Sequence, residues 1–215
     1  MPQLKPIKRY NARSLLTSPY LVALVCSIVC ICLFYLGLDS ELAYQRSLIL
    51  DGQWWRLISG NLLHTNAWHL VMNLAGLWVI IALHEQHYKA AGLSLLFIIL
   101  CLLQGIGLLA FYPALIGYVG LSGMLHGLFA YGAVYDIRQG FKSGYLLLLG
   151  VIIKVAYEQS FGASEEMTAL INARVATEAH LVGLISGIIC ALIIWLGQLS
   201  LKRYQAKCNK RVSKV

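Results

Sequence analysis

Apolar residues gather in six long runs along this chain, at about 19–38, 67–86, 91–111, 119–136, 145–161 and 177–199, with the polar residues collected between them. A helix needs roughly 20 mostly apolar residues to cross the hydrocarbon of a bilayer, so the pattern predicts six membrane spans. The first run, Pro19 to Leu38, follows a basic stretch and could mimic an export signal. Its length is that of a spanning helix, so it reads as an uncleaved first span. Between the first two runs lies a polar segment of unusual length, about residues 39–66, which contains Gly52-Gln-Trp-Trp-Arg56. A loop this long in a small bundle is expected to have structure and a role of its own. Trp54, Trp55 and Trp68 suit the membrane–water interface.

Composition agrees and charge adds an orientation. The 215 residues are 59% hydrophobic and 12% charged, with a mean hydropathy of +0.71, too apolar for a soluble domain. The net charge of +8 would suit nucleic acid if it lay in one patch, but it lies at the two ends. Lys5, Lys8, Arg9 and Arg13 precede the first run; Lys202, Arg203, Lys207, Lys210, Arg211 and Lys214 follow the last. With both termini cytoplasmic, thirteen of the seventeen basic residues fall inside and only Arg46, Arg56 and Arg174 fall outside. That asymmetry predicts an N-in, C-in topology, and basic ends suit an anionic inner leaflet. The expected organisation is a basic cytoplasmic segment (1–18), one membrane bundle (19–199) and a basic cytoplasmic tail (200–215). The six cysteines show no disulfide framework; Cys26, Cys30, Cys32, Cys101 and Cys190 lie in apolar runs and read as small buried hydrophobes.

Polar residues at membrane depth are costly, so those that could react together point to function. Ser122 sits in Gly120-Leu-Ser-Gly-Met-Leu-His-Gly127 and His180 in Ala179-His-Leu-Val-Gly183. The predicted topology puts both at the outer beginnings of parallel spans, at similar depth. His180, Gly183 and Gly187 share one helical stripe, and Gly123-x-x-x-Gly127 offers a matching close-approach surface. A hydroxyl beside an imidazole is a nucleophile beside a general base. Gly120 and Gly123 permit a tight turn, and a helix starting at Ser122 presents backbone N–H groups where an oxyanion would form. His69 and Asn73, at i and i+4 on the second span, are the side-chain oxyanion donors expected. Glu178 would face away from His180 on a regular helix, so a Ser–His dyad is expected without an acid. His84 and His87 read as a solvated helix end, and Lys154 with Glu158 as an i, i+4 pair that lowers the cost of burial. No metal and no cofactor are expected. A metal or proton transporter using His64, His69, His126 and His180 would leave Gly-x-Ser-Gly and Asn73 idle, and the spacing marks no metal cage.

These residues together resemble the rhomboid intramembrane serine proteases: Trp55-Arg56, His64, His69 and Asn73, Gly120-Leu-Ser122-Gly123, and Ala179-His180 with Gly183 and Gly187. The resemblance implies an all-α, six-transmembrane-helix rhomboid-like bundle with a long outer loop between helices 1 and 2. It implies peptide-bond hydrolysis by the Ser122–His180 dyad, with His69 and Asn73 in the oxyanion hole. Rhomboids often carry Tyr four residues after the serine; this chain has His126, and its motif is similar to the rhombosortase branch. That branch implies a bacterial inner-membrane enzyme opening to the periplasm. Its substrates would be membrane-anchored exported proteins ending in Gly-Gly, a membrane helix and a basic tail, with water or an amine accepting the acyl group. The expected partners are those substrates and the lipid bilayer, not nucleic acid.

Overall fold

The computed structural model describes residues 16–212. Lys5, Lys8, Arg9 and Arg13 lie outside the described residues, as do the side chains of Lys202 and of residue 206 onward.

Each long helix begins or ends where the local chemistry requires. Helix α1 (Pro19–Leu36) opens with proline in its first turn and Ser18 accepting the Tyr20 N–H. Gly37, at φ 65°, closes it in a left-handed turn that side chains disfavour. A structured segment follows: α2 (Asp39–Leu42), β1 (Tyr44–Gln45), α3 (Arg46–Leu50), α4 (Arg56–Ser59) and a 3-10 turn, Gly60–Leu62. Asn66 then caps α5 (Ala67–His84), its Oδ1 accepting the His69 N–H at 2.8 Å. Helix α6 (Ala90–Phe111) leads to β2 (Gly117–Tyr118) and α7 (Ser122–Arg138). The chain closes with α8 (Ser143–Phe161), α9 (Glu165–Ile171) and α10 (Thr177–Val212).

Among the described residues, five helices are long and apolar enough to cross a membrane: α1, α5, α6, α8 and α10. Their outward faces carry Val25, Ile28, Leu95, Ile98, Leu146 and Ile193, all exposed, which is the expected arrangement for helices solvated by lipid. The run predicted as a sixth span, 119–136, differs. Gly120 at φ +127° breaks the helix, so α7 starts at Ser122 and has 17 residues. It needs no lipid-facing stripe because α10, α8, α5 and α6 surround it. Its most extensive partner is α10. There the backbones touch through glycines: a side chain at Gly183 would collide with the Gly123 carbonyl, and one at Gly187 with the Gly127 carbonyl.

Three features depart from the sequence expectation. The long segment after α1 contains a strand pair in an otherwise helical protein, Tyr44 opposite Tyr118 and Gln45 opposite Gly117, antiparallel. Both stretches pass close to the bundle, and pairing satisfies backbone groups that lipid or protein would leave bare. Arg56 locks this segment, its buried guanidinium donating to the carbonyls of Ala43 (2.7 Å) and Ser40 (2.8 Å) and to Gln53 Oε1 (2.7 Å). Second, His84 and His87 are not solvated. His84 is wholly buried, and both rings close on the buried Asp136 of α7. Third, Lys154 and Glu158 pair at 2.8 Å as expected, but the Glu158 carboxylate also reaches His180, as described next.

Candidate active site

Helix α7 begins at Ser122 and α10 three residues before His180, so both side chains leave the first turns of neighbouring parallel helices. Ser122 Oγ stands 2.9 Å from His180 Nε2. The glycine seam explains that reach. A Cβ on Gly123 would sit 2.7 Å from the Ala179 carbonyl oxygen, so nothing larger than hydrogen fits between the helices at this level.

His180 has a second partner that the sequence reading did not assign. Its Nδ1 lies 2.8 Å from Glu158 Oε2, while the other carboxylate oxygen receives Lys154 Nζ at 2.8 Å. The expected acid-free dyad is therefore corrected to a Ser122–His180–Glu158 line. Glu178, the acid nearest in sequence, pairs with Arg174 at 2.7 Å instead. Glu158 was hidden because it lies on a different helix, 22 residues earlier. Its visible signal was an acid near the outer end of an apolar run, at the depth predicted for His180. With Nδ1–H donating to the carboxylate, Nε2 is left to accept the serine proton, which is the tautomer a general base requires.

His126 lies one turn along α7 and its ring stacks on that of His180, centroids 4.1 Å apart and planes 19° apart. Its Nδ1 donates to the Ser122 carbonyl at 2.6 Å, and its Nε2 accepts from Lys154 Nζ at 2.9 Å. Lys154 thus ties the imidazole beneath His180 to the carboxylate beside it. The nearby donor atoms of His126, Glu158 and His180 all lie within 4.8 Å of one another. In this arrangement, however, each already has a hydrogen-bonding neighbour.

Across from the serine stands α5. Asn73 is buried, and its amide nitrogen has no hydrogen-bond partner while it shares a cavity wall with Ser122. His69 turns Nδ1 toward Thr65, whose backbone N–H donates to it at 3.4 Å, leaving Nε2 as the proton-bearing nitrogen. That Nε2 faces Gly120, where a Cβ would come within 2.7 Å of it. Gly120 is clamped in its left-handed conformation: its N–H donates to Gly60 O at 3.1 Å, and the Tyr118 hydroxyl donates to its carbonyl. Burial pushes the Tyr118 hydroxyl up to about 12, so it stays a donor at any ordinary pH. The N–H groups of the first α7 turn, the Asn73 amide and His69 Nε2 together line the α5 side of the space beside Ser122 with donors, while the Glu158 carboxylate lies on the His180 side. His64 is buried but takes no part in this ring of donors. It stands edge-on to His69 at 5.1 Å, and neither of its nitrogens is hydrogen-bonded. Burial holds its imidazole at about 3, and therefore neutral. Gly183 and Gly187 lie below the site in the α7–α10 seam.

Of the cavities that Ser122 lines, two are the larger. One, of about 480 Å³, runs between α5 and α8 past Gly76, Ile80, Leu146 and Gly150. The other, of about 600 Å³, passes His69 and His180 and ends under the α8–α9 connection at Gly162–Ser164. Helix α8, with Leu146, Leu149, Ile153 and Tyr157 exposed, is the least enclosed of the long helices. The arrangement can hold an extended peptide with its carbonyl carbon against Oγ and its oxygen among the donors.

Residues 51–197 match the Rhomboid domain. The chain is similar to the rhomboid protease GluP of Bacillus subtilis, 27% identical over 156 residues, covering 72% of this chain and 29% of that protein. It is also similar to the rhomboid protease GlpG of Haemophilus influenzae, 22% identical over 190 residues, covering 80% of this chain and 90% of that protein.

Proposed function

This chain belongs to the rhomboid family, and from that premise we propose that it is an intramembrane serine endopeptidase whose nucleophile is Ser122 and whose base is His180. The observation that carries the reading is the 2.9 Å contact between Ser122 Oγ and His180 Nε2, opposite an Asn73 amide that lacks any partner. Oγ attacks the scissile carbonyl carbon as Nε2 takes its proton. The carbonyl electrons move to oxygen, and the oxyanion accepts hydrogen bonds from the Asn73 amide, His69 Nε2–H and the Ser122 backbone N–H. The tetrahedral species collapses, the C–N bond breaks, and the imidazolium returns its proton to the leaving amine. The acyl-serine is then released by water, or by an amine that becomes its new partner. Glu158 positions the imidazole and stabilises its positive charge.

The substrate reading is narrower. Exported, membrane-anchored proteins with a C-terminal Gly-Gly, a membrane helix and a basic end fit three observations. The serine motif with His126 resembles that of the rhombosortase branch. The approach to Ser122 between α5 and α8 is lined by Gly76 and Gly150, and a glycine pair unwinds readily from a helix to enter such a groove. The distribution of basic residues supports an N-in, C-in topology with Ser122 near the outer face; a bacterial inner membrane and a periplasmic opening follow from the rhombosortase resemblance.

A reporter carrying a Gly-Gly, membrane-helix and basic-tail cassette tests this directly. The wild-type chain is expected to react with a fluorophosphonate and to cut the reporter next to the glycine pair, and Ser122→Ala to do neither. Mass spectrometry of the new C-terminus reads a free carboxylate for hydrolysis or an added amine for transfer. Equal cleavage of a single-span reporter without Gly-Gly would assign a general rhomboid protease instead. An unlabelled wild-type protein would leave a rhomboid-fold binding protein.

A further inference from the structure

At the opposite end of α7 from Ser122, two imidazoles and a carboxylate meet in a pocket that the hydrolase chemistry does not use. We infer that His84, His87 and Asp136 form a binding site for a divalent transition-metal ion of the zinc class, joining the end of α5 to the end of α7. His84 Nδ1 lies 3.1 Å from Asp136 Oδ2 and His87 Nε2 lies 2.6 Å from Oδ1. One donor atom from each residue falls within 4.8 Å of the others, the span that a single ion can gather. All three side chains are nearly or wholly enclosed, at 0%, 3% and 6% exposure.

His84 supplies the independent observation. Its ring is completely buried, yet neither nitrogen makes a hydrogen bond. Nδ1 faces the Asp136 carboxylate at 3.1 Å, and Nε2 has no partner. A buried imidazole whose Nε2 has no partner, and whose Nδ1 meets only a carboxylate oxygen, is expensive unless something else shares the site. The ring is also held in place. Any side chain at Gly132 would strike it, and Phe129 packs edge-on at 5.7 Å. Across the site, Tyr135 packs against the His87 ring, also at 5.7 Å.

The donor set selects the ion class. Magnesium and calcium take oxygen ligands, whereas two imidazole nitrogens and one carboxylate suit zinc and its first-row neighbours. Gln86 donates its amide N–H to Asp136 Oδ1 at 3.3 Å and so holds the carboxylate toward the two rings. His87 also lines a cavity of about 460 Å³ between α6 and α10, which gives an ion a route in. Asp136 lies fourteen residues along α7 from Ser122, about 21 Å at 1.5 Å per residue. The ion therefore acts on structure and not on the scissile bond.

The test uses the full chain in detergent, purified on a tag without histidine, stripped with chelator and re-dialysed against Zn²⁺ or Co²⁺. About one ion per chain is expected. Co²⁺ should give the visible bands of a nitrogen–oxygen site of low coordination, and Zn²⁺ should raise the unfolding temperature. His87→Ala and Asp136→Asn should lose the ion and the thermal shift, whereas Glu158→Gln, altered at the other histidine cluster, should keep both. X-ray absorption on the wild-type zinc form reads two imidazoles and no sulfur, a result that needs no variant to fold. A wild-type chain that retains no ion, an ion retained by His87→Ala, or a sulfur or single-imidazole coordination shell would each overturn the site.

Discussion

At the scale of single residues, the active end of the molecule depends on groups whose value changes as charge develops. The Asn73 amide nitrogen has no partner at rest, so a hydrogen bond donated from it to the proposed oxyanion stabilises the transition state without another first having to be broken. Asn73→Ala is expected to lower kcat by about 10²–10³-fold with little change in KM, the cost typical of one oxyanion donor. Glu158→Gln keeps the shape but removes the charge that faces His180 Nδ1 at 2.8 Å, and the amide can present the wrong hydrogen-bonding partner to the ring. A fall in kcat of about 10²–10⁴-fold is expected, along with slower fluorophosphonate labelling; a wild-type rate would remove Glu158 from the catalytic line. Ser122, His180, His69 and Asn73 were legible as neighbours because each lies at a helix-periodic position in a motif. Glu158, Tyr118 and Thr65 were not, because their contacts cross between segments and no spacing along the chain encodes them. The same holds for His84 and His87: charge beside a helix end usually means solvent, and only the fold shows Asp136 arriving from α7 to enclose them.

At the scale of helices, the glycine seam sets the distance on which that chemistry relies. The Gly183 and Gly187 positions abut the carbonyls of Gly123 and Gly127, while Gly197, further along the same helix, has open space around it. Gly187→Val should therefore destabilise the protein by about 1–3 kcal/mol through overpacking and separate Ser122 from His180, whereas Gly197→Ala should leave both unchanged. Thermal unfolding in detergent and the labelling rate read the two effects side by side; equal behaviour of the two variants would show that the seam does not set the approach. The stripe itself was readable as i, i+3, i+7 spacing, as were the long apolar helices. The start of α7 was not, since apolarity runs on through Val119 and Leu121 while the backbone turns at Gly120. The β1–β2 pair escaped for a similar reason: two residues per strand leave no periodicity to detect.

At the scale of the whole molecule, the inside-out distribution of apolar residues around α7 was visible in composition, but which run would be enclosed was not. Helix α7 carries Ser122, His126 and Asp136, is short for a crossing, and is surrounded by its neighbours. Such a segment would be a poor passenger for the insertion machinery if it had to enter lipid alone. It also leaves the ribosome before α8 and α10, the two helices against which it packs most. Biogenesis therefore has an enforced order, in which α7 must be sheltered until α8 and α10 arrive. A chain ending at residue 161 should be degraded by quality-control proteases in cells, and supplying residues 162–215 as a second polypeptide should rescue it. Because His180 lies on α10, 58 residues after Ser122, the nascent protein carries the proposed nucleophile without its proposed base until α10 has joined the bundle.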